Sequence, residues 1–391
     1  MKATERFLKY VTYDTQSNEE STTYPSTASQ VDFLKMLARE LESLGVEVDF
    51  DGKYVIGTLN KVESETTLAF IAHVDTSPAV SGNNVVPVIT KYNGGDIVLD
   101  SAVISAQALK GLEGEDIISS TGATLLGADD KAGVAEIMSA VELLQSVKDR
   151  CNVKVVFTPD EEIGRGTEQL DVKKVGANYG YTVDGGRLGE IEYENFNAAS
   201  AKLVITGVNI HPGSAKNIMK NAIDMYADFH CRLPANQRPN TTENYQGFFM
   251  VNSLKGDVEK VEAHYIIRDH DANELELKKE VLTSLVHQMN ELYGGGFEIE
   301  ITDTYRNMRE VIEKHFHLVE NANKAFNQNG IKPISRPIRG GTDGATLSFK
   351  GLPCPNLSTG GVNFHARNEF VPASSLEKMV DVIVTIAKIY K

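Results

Sequence analysis

The chain has 391 residues, 41% of them hydrophobic, so we expect a globular protein with two domains, because one core seldom serves this length. Its net charge of −15 argues against nucleic acid or an anionic membrane as partner, since both attract clustered Lys and Arg. The start of the chain lacks the apolar core of a signal peptide, and no run of about 18 apolar residues occurs, which predicts a cytoplasmic location.

Strand-like and helix-like segments alternate up to about residue 198. An apolar run over 67–73 is followed by a helical pattern over 131–147 and by strand patterns over 153–158 and 179–184. This alternation predicts a mixed, mostly parallel sheet flanked by helices, which is an α/β fold.

The order of elements changes between 199 and 309. A strand, a helix, two strands, a helix and a strand follow one another there, which is the order of a ferredoxin-like α+β module. The segment after 309 returns to the first pattern and ends in a long helix. We therefore predict a discontinuous α/β domain over 1–198 and 310–391, interrupted by an inserted domain over 199–309.

Three cysteines, Cys151, Cys231 and Cys354, are widely spaced and lie in apolar surroundings. An odd and scattered set is typical of buried, reduced thiols and not of a disulfide framework. We expect no disulfide bond.

Histidine and acidic residues occur at the ends of several predicted strands and in the loops that follow. They are His73, Asp75, Asp129, Glu161, Glu162, Asp184 and His365. Imidazole and carboxylate ligands without thiolates suit zinc, manganese or cobalt in an open site, and such a site is typical of catalysis.

The local patterns leave other interpretations open. Taken alone, Asp129 and Asp130 are typical of a helix cap, the pair Glu161 and Glu162 of a solvated loop, and His365 of a turn. His73 and Asp75 lie two residues apart on an extended segment, so their side chains share a face. Asp75 is thus a candidate to orient the His73 ring for a metal.

The motifs together resemble a known family. The segments HVDTSP, TLLGADDKAGVAEIM, FTPDEEIGRG, YTVDGG, HPGSAKN, RPIRGGTDGATLSF and FHARNEFV occur in the order typical of the M20 metallopeptidases. The resemblance implies a zinc-dependent exopeptidase fold, whose inserted domain dimerises and acts as a lid. It also implies an aminopeptidase that hydrolyses the first residue from tripeptides with two divalent metal ions, zinc first, manganese or cobalt as alternatives.

The same resemblance implies a role for each site residue. It assigns one ion to His73, Asp129 and Asp184, the other to His365, Asp129 and Glu162, the general base to Glu161 and a supporting catalytic role to Asp75. The Asp129–Asp130 peptide is expected to be cis, Asp130 to be structural and Asp160 to be exposed.

The resemblance also suggests how a peptide is bound. His211 is expected to act in the neighbouring subunit's site of a homodimer, as a donor to the oxyanion. Arg268 and Arg339 are candidates to clamp the peptide carboxylate, because a guanidinium binds a carboxylate in bidentate fashion. Asp343 is a candidate to bind the amino terminus of the substrate.

Two alternative functions remain at this point. A dipeptidase, a carboxypeptidase or a small-molecule amide hydrolase would share the metal centre and differ in the group it recognises. A non-catalytic dimeric binding protein would keep the fold, although every expected ligand and both catalytic carboxylates are competent residue types in this sequence.

Overall fold

The computed structural model describes residues Met1–Lys391, which form two compact units. The helices are α1 (Ala3–Tyr10), α2 (Ala28–Ser43), α3 (Ala128–Leu144), α4 (Val172–Val175), α5 (Ala222–Arg232), α6 (Ala272–Tyr293), α7 (Arg309–Ile312), α8 (His317–Gln328), α9 (Asp343–Phe349) and α10 (Ala373–Ile389). Short 3-10 helices cover Glu161–Ile163, Pro212–Ser214, Pro239–Thr241 and Glu313–His315.

The structure has seventeen strands. They are β1 (Glu47–Phe50), β2 (Val55–Thr58), β3 (Thr67–His73), β4 (Pro87–Lys91), β5 (Ile97–Val98), β6 (Val103–Ile104), β7 (Asp116–Ser120), β8 (Asn152–Thr158), β9 (Tyr179–Gly185), β10 (Glu190–Glu192), β11 (Asn197–Thr206), β12 (Phe248–Gly256), β13 (Lys260–Asp269), β14 (Phe297–Tyr305), β15 (Ile334–Ser335), β16 (Asn356–Ser358) and β17 (Phe370–Pro372).

The first unit is built on a mixed sheet of eight strands. It comprises Met1–Tyr193, Met308–Arg336 and Thr342–Lys391. The strand order is β1-β2-β8-β3-β9-β16-β10-β15, and the four central strands β8, β3, β9 and β16 run parallel to one another. Strands β1 and β2 are antiparallel at one side, and β10 is antiparallel to β16. The prediction of an α/β fold with a mixed sheet is confirmed.

Strand β3 is apolar over residues 68–72, as expected of a strand with both faces of its sheet covered. Its residues 68–73 are all buried. Helix α3 packs against β3 and is itself enclosed by α1 and α10. On the sheet, Ala69 and Ile71 contribute to a hydrophobic cluster with Val156 of β8 and Leu347 of α9.

The parallel register brings three strand ends to one edge of the sheet. His73 at the end of β3 pairs with Thr158 at the end of β8, and Ile71 pairs with Thr182 of β9. Open α/β sheets bind ligands beyond the carboxyl ends of their parallel strands. This edge is therefore where a functional site is expected.

The second unit comprises Glu194–Asn307 and Pro337–Gly341. Its antiparallel sheet has the order β12-β13-β11-β14, and the chain order is β11-α5-β12-β13-α6-β14. This is the predicted ferredoxin-like order. The unit begins before the predicted residue 199, because β11 already starts at Asn197, and residues 337–341 return to it.

Strand β13 buries one of its two faces, because buried residues alternate with more exposed residues along it. Val261, Ala263, Tyr265 and Ile267 are buried on one side of the strand. They form one core with residues of α5 and α6, such as Phe229 and Leu282. A strand with one buried face requires such period-two alternation.

The thiols differ in burial. Cys151 and Cys354 are buried, whereas Cys231 is exposed, so the prediction of burial is wrong for Cys231. Helix α5 turns Met225 and Phe229 toward the core, and Cys231 falls on the other side of that helix. None of the helices has the length and apolarity needed to span a membrane.

Candidate functional site

Histidine and carboxylate side chains meet at the carboxyl edge of the central strands. His73 is the last residue of β3, and Asp184 is the penultimate residue of β9. Strand β8 ends at Thr158 and leads into the 3-10 helix that carries Glu161 and Glu162. Neighbouring parallel strands thus supply residues that are far apart in the sequence.

His73 is buried between three carboxylates. Its Nε2 lies 2.9 Å from Asp129 Oδ1 and 3.3 Å from Asp184 Oδ1. Its Nδ1 lies 3.1 Å from the backbone oxygen of Asp75 and 3.3 Å from Asp75 Oδ1. Asp75 can accept a proton from Nδ1, which leaves Nε2 as the ring nitrogen directed at the site, where a bound metal would take the place of its proton.

His365 meets the other side of Asp129. Its Nε2 lies 3.0 Å from Asp129 Oδ2 and 2.9 Å from Glu162 Oε2. The backbone of His365 has φ of 60°, in the left-handed region that residues other than glycine seldom adopt and that occurs mainly at functional sites. The two oxygens of Asp129 therefore face two different histidines, which is the arrangement of a bridging ligand.

Two sets of ligand atoms are close enough to hold an ion. Within each set all atoms lie within 4.8 Å of one another, and the sets are His73, Asp130 and Asp184, and His73, Asp129 and Glu162. Asp130, however, already accepts the backbone N–H of His73 at 3.2 Å and that of Gly133 at 3.1 Å. Asp130 thus has backbone partners of its own, and Asp129 stays the predicted ligand. The peptide bond between them is cis, as predicted.

Asp75 supports both the histidine and the glutamate pair. Its carboxylate is fully buried and accepts the backbone N–H groups of Glu161 at 3.0 Å and Glu162 at 3.2 Å. The same carboxylate contacts the His73 ring. One side chain thus fixes the relative position of β3 and the 3-10 helix.

The buried carboxylates are costly to ionise together. Burial raises the pKa of Glu162 to about 8 and that of Asp184 to about 7, with the charge of Asp129 adding in the same direction. Burial likewise raises the pKa of Glu161 well above its ordinary value. At Asp129 burial acts in the same sense, but hydrogen bonds from His365 and His73 outweigh it and lower the pKa.

Compensating positive charge would allow all these groups to ionise at once. The buried Oε1 atom of Glu162 has no hydrogen-bond partner and is available as a ligand. Imidazole nitrogens and carboxylate oxygens are the donors that zinc and similar cations take in catalytic sites. The residues present therefore fit a centre for divalent metal ions.

Comparison with known proteins agrees with this chemistry. The sequence matches the model of peptidase family M20/M25/M40 over residues 125–389. It is 50% identical over 401 residues to Peptidase T from Parabacteroides distasonis, across 100% of this chain and 99% of that protein. The chain belongs to the M20 peptidase family.

A second relative of this M20 peptidase is Peptidase T from Caldanaerobacter subterraneus subsp. tengcongensis, 52% identical over 404 residues, across 100% of this chain and 98% of that protein. Solved structures share the fold. An aminopeptidase PepT from Bacillus cereus has a TM-score of 0.78 at 24% identity, with 100% of this chain and 98% of that chain covered. A tripeptidase from Staphylococcus aureus has a TM-score of 0.80 at 22% identity, with the same coverage.

Asp160 supports the site of this M20 peptidase in a way that the sequence did not reveal. The prediction that Asp160 is exposed is wrong, because its side chain is fully buried. Its carboxylate accepts the backbone N–H of Ser26 at 2.7 Å, the Ser26 hydroxyl, and Gln30 Nε2 at 2.8 Å. These partners come from the N-terminal region, so Asp160 joins that region to the loop bearing Glu161.

Glu369 is a second supporting residue that sequence analysis missed. It is buried and accepts the backbone N–H groups of Leu126 at 2.7 Å, Gly127 at 2.8 Å and Asp129 at 3.1 Å. Burial raises its pKa to about 7. The segment FHARNEFV contains this glutamate four residues after His365, and that proximity is the one sequence signal that could have found it.

The residues predicted to bind substrate or the oxyanion lie in the second unit of the M20 chain. His211 is exposed, and its Nδ1 accepts the backbone N–H of Gly213 at 3.1 Å. Arg268 donates to the backbone oxygen of Ala199 at 3.1 Å and lies over the ring of Tyr305, 5.0 Å from its centroid. Both side chains have contacts within their own unit.

Arg339 also serves its own unit. Its guanidinium donates to the backbone oxygens of Asn244 at 2.7 Å and Gln246 at 2.9 Å, and to Thr242 Oγ1 at 2.9 Å. These bonds hold the returning segment 337–341 in place within the unit. Part of the fork that was predicted to clamp a carboxylate is therefore already engaged.

Asp343, by contrast, lies in the first unit. Its Oδ2 accepts the hydroxyl of Thr158, at the end of β8, at 2.9 Å. Burial raises its pKa to about 6. This contact gives Asp343 a structural role next to the site, where it ties the start of α9 to the sheet.

Proposed function

We propose that this M20 chain is a metal-dependent aminopeptidase that releases the first residue of tripeptides. The observation that carries the proposal is the meeting of His73, His365 and Asp129 at one edge of the sheet, with Glu161 and Glu162 on the adjacent 3-10 helix. Relatives named Peptidase T support this substrate class, because they match over the whole chain at about half of all positions. The cytoplasmic location stays a prediction that cell fractionation would test.

Two ion positions follow from the ligand geometry. His73, Asp129 and Asp184 would hold one divalent ion, and His365, Asp129 and Glu162 the other. Zinc suits these donors first, with manganese or cobalt as alternatives. A Bacillus subtilis protein of the same fold, with a TM-score of 0.68, is described as a dinuclear metal-binding peptidase. When bound, such ions supply Lewis acidity at the scissile carbonyl.

The carboxylate of Glu161 performs the proton transfers in this proposal. It takes a proton from the attacking water and gives it to the nitrogen of the departing peptide as the C–N bond breaks. Burial raises the pKa of the Glu161 carboxyl group, which favours its holding the proton between the two transfers. Asp75 fixes the backbone of Glu161 and so orients this base.

The decisive test is the hydrolysis of Leu-Gly-Gly, followed by mass spectrometry. We expect release of leucine and Gly-Gly, with no cleavage of acetyl-Leu-Gly-Gly, because an aminopeptidase requires the free amino terminus. Glu161→Gln protein purified in the same way controls for contaminating peptidases. Release of the C-terminal glycine together with Leu-Gly would favour a carboxypeptidase. A protein that cleaves the dipeptide Leu-Gly but not the tripeptide would favour a dipeptidase.

We further propose that the second unit forms a homodimer and that His211 of one subunit acts as oxyanion donor in the site of the other. Its exposure on the ferredoxin-like unit supports this assignment. Mixing inactive His211→Ala chains with inactive Glu161→Gln chains should restore activity, because the mixed dimer contains one complete site. Mixed dimers verified by native mass spectrometry that stay inactive would contradict action across the interface.

A further inference from the structure

A cavity of about 400 Å³ opens beside the candidate metal centre within the first unit. Its walls are the segments Ser17–Glu19 and Ser77–Ala79, and Glu162 and His365 form the side toward the centre. This volume falls at the small end of pockets that bind small molecules, which span roughly 300–1,000 Å³. None of the roles assigned above uses these two wall segments.

The two walls are joined to each other by hydrogen bonds. Gln16 Nε2 donates to the backbone oxygens of Ser77 and Val80, each at 3.0 Å. The backbone N–H of Ser17 donates to Thr76 O at 3.1 Å. The cavity is therefore a built feature of the fold and not a gap between free loops.

The first wall is also fixed to the loop that carries the glutamate pair. The backbone N–H of Asn18 donates to Ser26 Oγ at 3.0 Å, and Ser26 in turn donates to the buried Asp160. Asp160 directly precedes Glu161. The position of the first wall is thus coupled to the loop that carries the proposed base.

The charged side chains that line the cavity indicate which ligands it can bind. Neither wall contains a lysine or an arginine, and Pro78 and Ala79 supply apolar surface. Glu162 and His365 are paired with each other at 2.9 Å. The carboxylate of Glu19 makes no hydrogen bond or ion pair within the chain and is exposed. The unpaired negative charge favours a cationic group and disfavours a carboxylate.

From these observations we infer that the cavity receives the first residue of the peptide, with Glu19 facing its α-ammonium group and Ala79 bordering its side chain. The inference rests on the proposed function and names the part of the site that would recognise the amino terminus. Glu19 acts here in binding and specificity, and it takes no part in proton transfer.

Replacement of Glu19 by glutamine tests the charge. For Ala-Gly-Gly we expect Glu19→Gln to lower kcat/KM about tenfold, through KM, because glutamine can still accept a hydrogen bond from the ammonium group but carries no negative charge. For propionyl-Gly-Gly, which lacks the amino group, wild type and Glu19→Gln should be equally poor. Glu20→Gln is the matched control, because Glu20 is exposed next to Glu19 and does not line the cavity.

Replacement of Ala79 by phenylalanine tests the steric part. Ala79 is exposed, so the larger side chain can be accommodated by the fold while it narrows the cavity. We expect the preference for Leu-Gly-Gly over Gly-Gly-Gly, measured as the ratio of kcat/KM values, to fall about tenfold or more.

The outcomes separate this inference from the proposed function. Wild-type protein that cleaves no tripeptide would refute the proposed function. Active protein in which Glu19→Gln matches Glu20→Gln on both substrates would refute the role of Glu19. Equal losses on the amino and the desamino substrate would also refute it, because they would indicate a merely structural effect.

Discussion

Glu161→Gln should lower kcat for tripeptide hydrolysis by about 10² to 10⁴-fold, the range typical of a lost general base, while the bound metal stays the same. Glutamine keeps the size of the side chain and its ability to hydrogen bond, but it accepts no proton from water. The backbone N–H of Glu161 would still be held by Asp75, so the 3-10 helix should keep its position.

Steady-state kinetics and elemental analysis of the same samples would measure this effect. Glu168→Gln is a suitable control, because Glu168 is exposed in the same loop region and lies seven residues further along the chain. A Glu161→Gln enzyme with kcat near that of wild type would remove Glu161 from the role of base. Loss of metal together with activity would instead make it a ligand.

Asp129→Asn should lower kcat for tripeptide hydrolysis at least about 10³-fold and should lower the metal content of the protein. Both histidines face this one carboxylate, His73 at 2.9 Å and His365 at 3.0 Å. An amide offers a neutral oxygen and a nitrogen that does not bind metal, so one substitution should weaken both ion positions.

Metal content after dialysis, followed by titration with zinc, manganese or cobalt, would test this expectation. Wild-type protein treated with a chelator should lose activity and regain it on titration, whereas Asp129→Asn should not recover. Asp32→Asn controls for the loss of one carboxylate at an exposed helical position. Chelated wild-type protein that still cleaves tripeptides at the full rate would exclude the metal mechanism.

The architecture followed from local patterns. The buried run 67–73 and the helical spacing after 131 correspond to β3 and α3, and the change of order at about 199 corresponds to the ferredoxin-like unit. Hydrophobic periodicity depends on residues that are close in the sequence, so it can be recognised without knowledge of the tertiary structure. Ligand types at strand ends indicated the metal centre for the same reason, while the family resemblance supplied the individual roles.

The supporting residues could not be predicted because their partners are distant in the chain. Asp160 looked like a solvated loop residue, yet it bonds to Ser26 and Gln30, more than a hundred positions earlier. Glu369 holds backbone groups near Asp129, some 240 positions away. Only the folded chain shows that such a carboxylate has N–H partners that compensate its burial.

The bonds of Asp160 limit how freely this enzyme can be re-engineered. A loop exchange that widens the cavity near Asn18 would disturb Ser26 and, through Asp160, the turn that presents Glu161. On that side of the cavity, we therefore expect that the preference for the first residue of the peptide cannot be changed without also changing the turnover rate. Ala79 lies on the opposite wall, which is bonded to Gln16 and Ser17 and not to Ser26 or Asp160, so a side-chain change there offers the safer route to altered selectivity.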